Sequence, residues 1–183
     1  MAGSHRHPDA PSQFLVENNG LLPVGTALDI AMGAGRNALY LAGRGFKVTG
    51  VDNDPEALQQ AEEQARARGV SISVVRGDLE NGYAIPPEVY DVIICFNYLY
   101  RPLFPAVRAA LKPGGVIVYE TYTVDQKQFG PPRNPDHLLK YNELLEVFRD
   151  YRCLRYHEGI YEDRKAVAGI IAVKPATGGN TGS

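Results

Sequence analysis

With 183 residues, the chain has room for one ordinary domain but not two. A hydrophobic fraction of 44% suffices for a buried core, and 22% charged residues speak against wholesale disorder. Lysines and arginines number 19 against 21 acids with no basic run to neutralise phosphates, so a nucleic-acid partner is not expected.

Residues 1–11 are polar and lack the apolar centre of a signal peptide. Residues 1–9 and the tail 175–183 are expected to be flexible around a single domain, residues 10–174. Thr26 to Ala31 reads as a strand running into glycines, Asn37 to Arg44 as a helix stopped by Gly45, and Phe46 to Val51 as a second strand. Asp54-Pro55 is a helix start, a cap residue followed by proline in the first turn. Leu58, Ala61 and Ala65 then follow at helical spacing up to Gly69.

Ser71 to Val75 is a third strand and Asp91 to Phe96 a fourth, apolar enough to be covered on both faces. Only about 14 residues, with Asn81-Gly82 and Pro86-Pro87 among them, separate these two strands, so a loop or single turn is expected in place of a crossover helix. Leu103, Val107 and Leu111 form a helix face. Gly114-Gly115 leads into a fifth strand at Val116 to Tyr119, and Leu144, Leu145, Val147 and Phe148 mark a last helix. Strands near Tyr151 to His157 and Ala166 to Val173, joined by a polar turn at Glu158 to Lys165, should form an antiparallel hairpin at the sheet edge.

This alternation predicts an α/β, doubly wound, mostly parallel sheet with helices on both faces. The longest apolar run, Val92 to Tyr100, is about half of the ~20 residues needed to cross a bilayer. A cytoplasmic protein without a membrane partner is expected, as a monomer or homodimer. The two cysteines, Cys95 and Cys153, are too few for a disulfide framework or a metal site. Both are expected as buried reduced thiols, and no metal is expected.

The chemistry gathers at the strand ends. Leu28-Asp29-Ile30-Ala31-Met32-Gly33-Ala34-Gly35 ends a strand and opens a helix. Glycine lets backbone approach a ligand, the helix start offers free N–H groups, and Asp29 supplies a carboxylate for an ammonium group. Asp52, 19 residues beyond Gly33 at the end of the second strand, suits ribose hydroxyls. After the third strand, Gly77-Asp78-Leu79 offers an acceptor for an adenine amino group and a cover for the ring.

In this order, together with Tyr90-Asp91-Val92-Ile93 and Leu111-Lys112-Pro113-Gly114-Gly115, these segments resemble the class I S-adenosylmethionine-dependent methyltransferases. The resemblance implies strand order 3-2-1-4-5-7-6 with an antiparallel seventh strand, and S-adenosyl-L-methionine as cofactor. Asp29 and the loop from Ala31 through Gly33 to Gly35 would hold the methionine part, Asp52 the ribose, and Asn53, Asp78 and Leu79 the adenine. Phe96 and Asn97 would flank the transferred methyl. Ala31 stands where many members have the first loop glycine, a mild change if its φ is negative, and Met32 where many have cysteine. The string Gly35-Arg36-Asn37-Ala38-Leu39-Tyr40-Leu41-Ala42 is similar to the small tellurite-resistance-type methyltransferases.

The expected acceptor is a small molecule: a thiol, a metalloid anion or a small metabolite. Two loops stand at the C-terminal strand ends, where open α/β sheets bind ligands. One begins at Phe96. The other, Glu120 to Lys140, is too long for an idle connection. From them Asn97, Arg101, Tyr122 and Arg133 are candidate substrate contacts, the arginines for an anionic group. A thiolate needs no base. A hydroxyl does, and Tyr98, Glu120 and His137 are the candidates by position. Two rival readings remain. Gly33-x-Gly35-x-x-Ala38 also fits an NAD-binding fingerprint, as in an oxidoreductase, and a member that binds cofactor could serve only as a partner subunit.

Overall fold

The computed structural model describes residues 10–161 and 164–176. The expectation of flexible ends falls almost wholly outside these residues. Strands β1 (Thr26–Ile30), β2 (Lys47–Asp52), β3 (Ile72–Arg76), β4 (Tyr90–Phe96), β5 (Leu111–Tyr122), β6 (Arg152–Tyr161) and β7 (Lys165–Val173) form one sheet in the order β3-β2-β1-β4-β5-β7-β6. The first five lie parallel, and β7 runs antiparallel to β5 and β6. Helices are α1 (Gln13–Asn18), α2 (Arg36–Ala42), α3 (Pro55–Arg68), α4 (Phe104–Ala110) and α5 (Glu143–Val147).

Strand side chains alternate between two buried layers, because neighbouring residues of a pleated strand point to opposite faces. One layer joins Leu28, Ile93 and Ile117 to Phe104 and Val107 of α4 and to Leu144 and Phe148 near α5. The other joins Ala27, Val92, Ile94 and Val118 to Leu15 of α1, Leu41 of α2 and Ala61 of α3. Each fully buried Leu or Ile stabilises the fold by roughly 1.5–3 kcal/mol.

The expected start and stop of α3 are both present. The Asp54 side chain accepts a 2.9 Å hydrogen bond from Glu56 N, and Gly69 ends the helix at φ +65°. At the far end of the sheet, Asp91 accepts from Thr26 N at 2.8 Å and pairs with Lys112 Nζ at 3.0 Å, stitching the starts of β1, β4 and β5 together.

Three expectations are corrected, and one helix is present that the sequence reading did not assign. Residues 13–18 form a helix, held onto the core by the fully buried Leu15. Leu111 opens β5 and does not complete a helix face, because Pro113 disfavours helical backbone in the residue before it. β6 runs through Tyr161, so most of the expected Glu158–Lys165 turn is strand, in register with β7 up to Tyr161 opposite Lys165. Cys95 is buried but Cys153 is exposed, since β6 is an edge strand with one open face. The short passage from β3 to β4 contains turns and no helix, as expected.

Candidate active site

β1 and β4 are neighbours at the middle of the sheet, and the crevice opens over their C-terminal ends. Its larger lobe, about 430 Å³, is lined among others by Asp29, Gly33, Arg36, Asn37, Phe96 and Asn97. A smaller lobe of about 160 Å³ is lined by Asp52, Asn53, Gly77, Asp78, Leu79 and Glu80. Ala31 and Tyr98 line both lobes, so the two form one crevice.

The turn after β1 is built by backbone geometry. Gly33 has φ +55° and open space where a side chain would project, so its main chain faces the crevice bare. Gly35, at φ +80°, lines neither lobe. It lets α2 start close to α3, with Ala61 Cβ only 3.0 Å from where a Gly35 Cβ would stand. Ala31 sits at φ +53°, not at the negative φ under which alanine would be a mild replacement for glycine. Met32 crosses β2 over Gly50, whose missing side chain makes the room.

Asp29 is 2% exposed, and its Oδ2 has no hydrogen-bond partner among the described residues. Burial pushes its carboxyl up to about 8, helped by the charge of Asp52. The Ala38 amide and Arg36 pull the other way. A buried carboxylate with a spare lone pair beside an open cavity suits a ligand ammonium group, which would restore the charged form.

Asp52 accepts from Gly33 N at 2.8 Å through Oδ2 and from Asp54 N at 3.0 Å through Oδ1. Each oxygen keeps a second lone pair for ribose hydroxyls. Asp78 accepts from Glu80 N and from both nitrogens of Asn81, and these bonds hold its carboxyl below the usual range. It shapes the smaller lobe as an anion.

The acceptor-side candidates divide. Asn97, at φ +58°, and Phe96 line the larger lobe. Tyr98 stands at the junction. Burial, with the nearby Glu80, pushes its phenol well up, which keeps the proton on and makes Tyr98 a hydrogen-bond donor, not a base. Glu120 faces a separate cavity. Tyr122, Arg133 and His137 line neither lobe, and Arg133 and His137 are exposed.

Arg101 is a correction. It makes a 2.6 Å ion pair to Glu143 and donates further to Glu143 Oε2, Asp136 O and Leu138 O. Its guanidinium is engaged in pinning the long loop after β5, which leaves it no fork for a substrate.

Sequence reasoning missed Asn37 and the segment before α1. Ser12 N donates to Asn37 Oδ1 at 2.8 Å and Arg36 reaches Ala10 O at 3.2 Å, so the chain ahead of α1 is strapped along the crevice rim. The polar pair Arg36-Asn37 at a helix start was the available signal.

A family model described as "Methyltransferase domain" matches residues 27–115, the stretch holding the glycine turn and every residue named in the smaller lobe. The chain belongs to the class I S-adenosylmethionine-dependent methyltransferases. S-adenosylmethionine is the cofactor of this methyltransferase. It is 31% identical over 128 residues to the ubiquinone biosynthesis O-methyltransferase of Serratia proteamaculans, a match covering 67% of this chain and 53% of that protein. The Yersinia pestis protein of the same name is 32% identical over 130 residues, covering 68% and 54%. The methyltransferase thus spans about half the length of the curated relatives it matches. Among solved structures, TehB from Haemophilus influenzae superposes with a TM-score of 0.75 at 22% identity, over 94% of this chain and 63% of that one. A SAM-dependent methyltransferase from Aquifex aeolicus gives 0.66 at 23% identity, over 87% of each. These two likenesses concern the fold.

Proposed function

We propose that the protein transfers the methyl group of S-adenosylmethionine to a small-molecule acceptor: a thiol, a metalloid anion or a small metabolite. One observation carries the reading. The buried Asp29 carboxylate, whose Oδ2 has no partner among the described residues, and the Asp52-braced Gly33 turn lie on a single crevice at the C-terminal ends of β1 and β4. In this reading Asp29 takes the ammonium of the amino-acid part, Asp52 the ribose, and Asn53, Asp78 and Leu79 surround the adenine. When bound, the cofactor supplies a sulfonium methyl already activated for displacement. The protein's task is to orient the acceptor and exclude water. Phe96, at 7% exposure, and Asn97 form the wall beside the transferred group.

Thermal-shift titration with S-adenosylhomocysteine and NAD, followed by transfer of labelled methyl across phenols, thiols and metalloid anions, tests the proposal. S-adenosylhomocysteine should raise the melting temperature and NAD should not, with label found on a small molecule. Stabilisation by NAD alone, or cofactor binding with no labelled product, overturns it.

A further inference from the structure

Beside the crevice lies a second cavity of about 280 Å³, roofed by Phe14 and Glu17 of α1 and floored by Glu120, His157, Tyr161 and Val167. It is smaller than the ~300–1,000 Å³ of ordinary ligand pockets. Glu120 is paired in register with Phe96, which lines the cofactor crevice, so the cavity begins one strand away from it.

Three polar groups form a chain along its floor. His157 Nε2, a buried atom, lies 2.9 Å from Glu120 Oε2, yet has no aligned hydrogen bond among the described residues. His157 Nδ1 lies 2.8 Å from the Tyr161 hydroxyl. Among the described residues, Glu120 Oε1 has only a long 3.5 Å contact, from Ser12 Oγ. The imidazole is held flat against Phe14, ring centroids 4.5 Å apart, and lies across Gly169, where a Cβ would come within 2.2 Å of Nε2. The ring of this partly exposed histidine is thus held on two faces beside a carboxylate.

We propose that this cavity is the acceptor site, and that Glu120, held in place by His157, is the general base for a small hydroxylated aromatic acceptor. The inference rests on the methyl-transfer reading above. With the Tyr161 hydroxyl donating to Nδ1, Nε2–H faces Glu120 and steadies its carboxylate. The acceptor hydroxyl meets Glu120 Oε1. As its oxygen bonds to the methyl carbon, the C–S bond breaks and its electron pair stays on sulfur. The hydroxyl proton passes to Glu120, leaving a neutral carboxylic acid beside the imidazole. Phe14, Tyr161 and His157 give the cavity aromatic walls, which favour a flat ring over a small inorganic anion.

The test uses the full chain. Catechol is titrated calorimetrically into protein saturated with S-adenosylhomocysteine. Methyl transfer to catechol, dithiothreitol and selenite is then measured for wild type, Glu120→Gln, His157→Asn and Gly169→Ala. Catechol should bind and be methylated. Glu120→Gln should lose at least about 100-fold in kcat, as general-base removal does, and His157→Asn and Gly169→Ala, which disturb its support, should lower kcat as well, while S-adenosylhomocysteine affinity stays within about twofold in all three. Gly169→Ala keeps Glu120 and His157 and only displaces the ring, so it stays informative if a charge-removing variant fails to fold. Methylation of dithiothreitol or selenite without catechol overturns this inference and leaves the small-molecule reading standing. Undiminished turnover in the variants overturns it as well. Cofactor binding with no methylated product of any kind overturns both.

Discussion

Asp52 Oδ2 accepts a 2.8 Å hydrogen bond from the amide of Gly33, tying the end of β2 to the turn that follows β1. The carboxylate therefore braces the glycine turn while offering its remaining lone pairs to the crevice. Asp52→Ala removes both functions. A hydrogen bond to a charged group is worth about 1.5–3 kcal/mol, so S-adenosylhomocysteine affinity should fall by about 10- to 100-fold in calorimetry, with the circular dichroism spectrum retained. An unchanged dissociation constant would show that Asp52 holds no ribose.

The elevated proton affinity of Asp29 makes cofactor binding pH-dependent. Its carboxyl, ordinarily at 3.8, is held by burial at about 8, so the folded free protein carries a proton that the unfolded chain has lost. A raised acid stabilises the free fold fully only below 3.8, and that contribution fades as pH climbs through about 8. An incoming ammonium reverses the preference. At pH 7, binding should release about one proton, and affinity should rise with pH up to about 8. Calorimetry in buffers of different ionisation enthalpy reads the proton. Asp29→Asn should abolish the release, and a buffer-independent enthalpy for wild type would count against the ammonium contact.

Ala31 carries a left-handed backbone without being glycine. That conformation costs an L-residue about 1–2 kcal/mol, and glycine's extra unfolded-state freedom offsets about 0.5–1 of it. Ala31→Gly should therefore raise stability by about 0.5–1 kcal/mol in urea titration, with cofactor affinity kept. Destabilisation would mean that the methyl group's contact with both lobes outweighs the strain.

Arg101 clamps the long loop after β5 through Glu143 and two backbone carbonyls. Because the pair is partly exposed, Arg101→Ala should cost only about 1–3 kcal/mol. It should also open residues 123–142 to limited proteolysis while leaving S-adenosylhomocysteine affinity unchanged. Weakened affinity would restore Arg101 to the binding site.

The individual strands, α3 and the acids that line the crevice were legible because their signals are local, whereas the strand order came with the family resemblance. Asp54-Pro55 and Gly69 delimit α3 by themselves, and Asp29, Gly33 and Asp52 each sit where a strand of obvious apolar run must end. The acceptor half was not, because its meaning lies in pairings far apart in sequence. Arg101 looked like an anion fork until Glu143 was seen to occupy it. His157 became notable only once β6 ran on to Tyr161 and the antiparallel register put Gly169 beneath its ring. Residues 13–18 are too few for periodicity to speak, and they fold as α1 because Leu15 finds a core contributed by other elements.

The turns that stand in place of a helix between β3 and β4 leave Glu80, Asn81 and Gly82 exposed at the flank of the smaller lobe. Under the proposed placement of the adenine, spent nucleoside would have its own doorway there, away from the roof that α1 gives the proposed acceptor cavity. Neither departure has to wait for the other, so steady-state kinetics should show random, not compulsory, order of product escape.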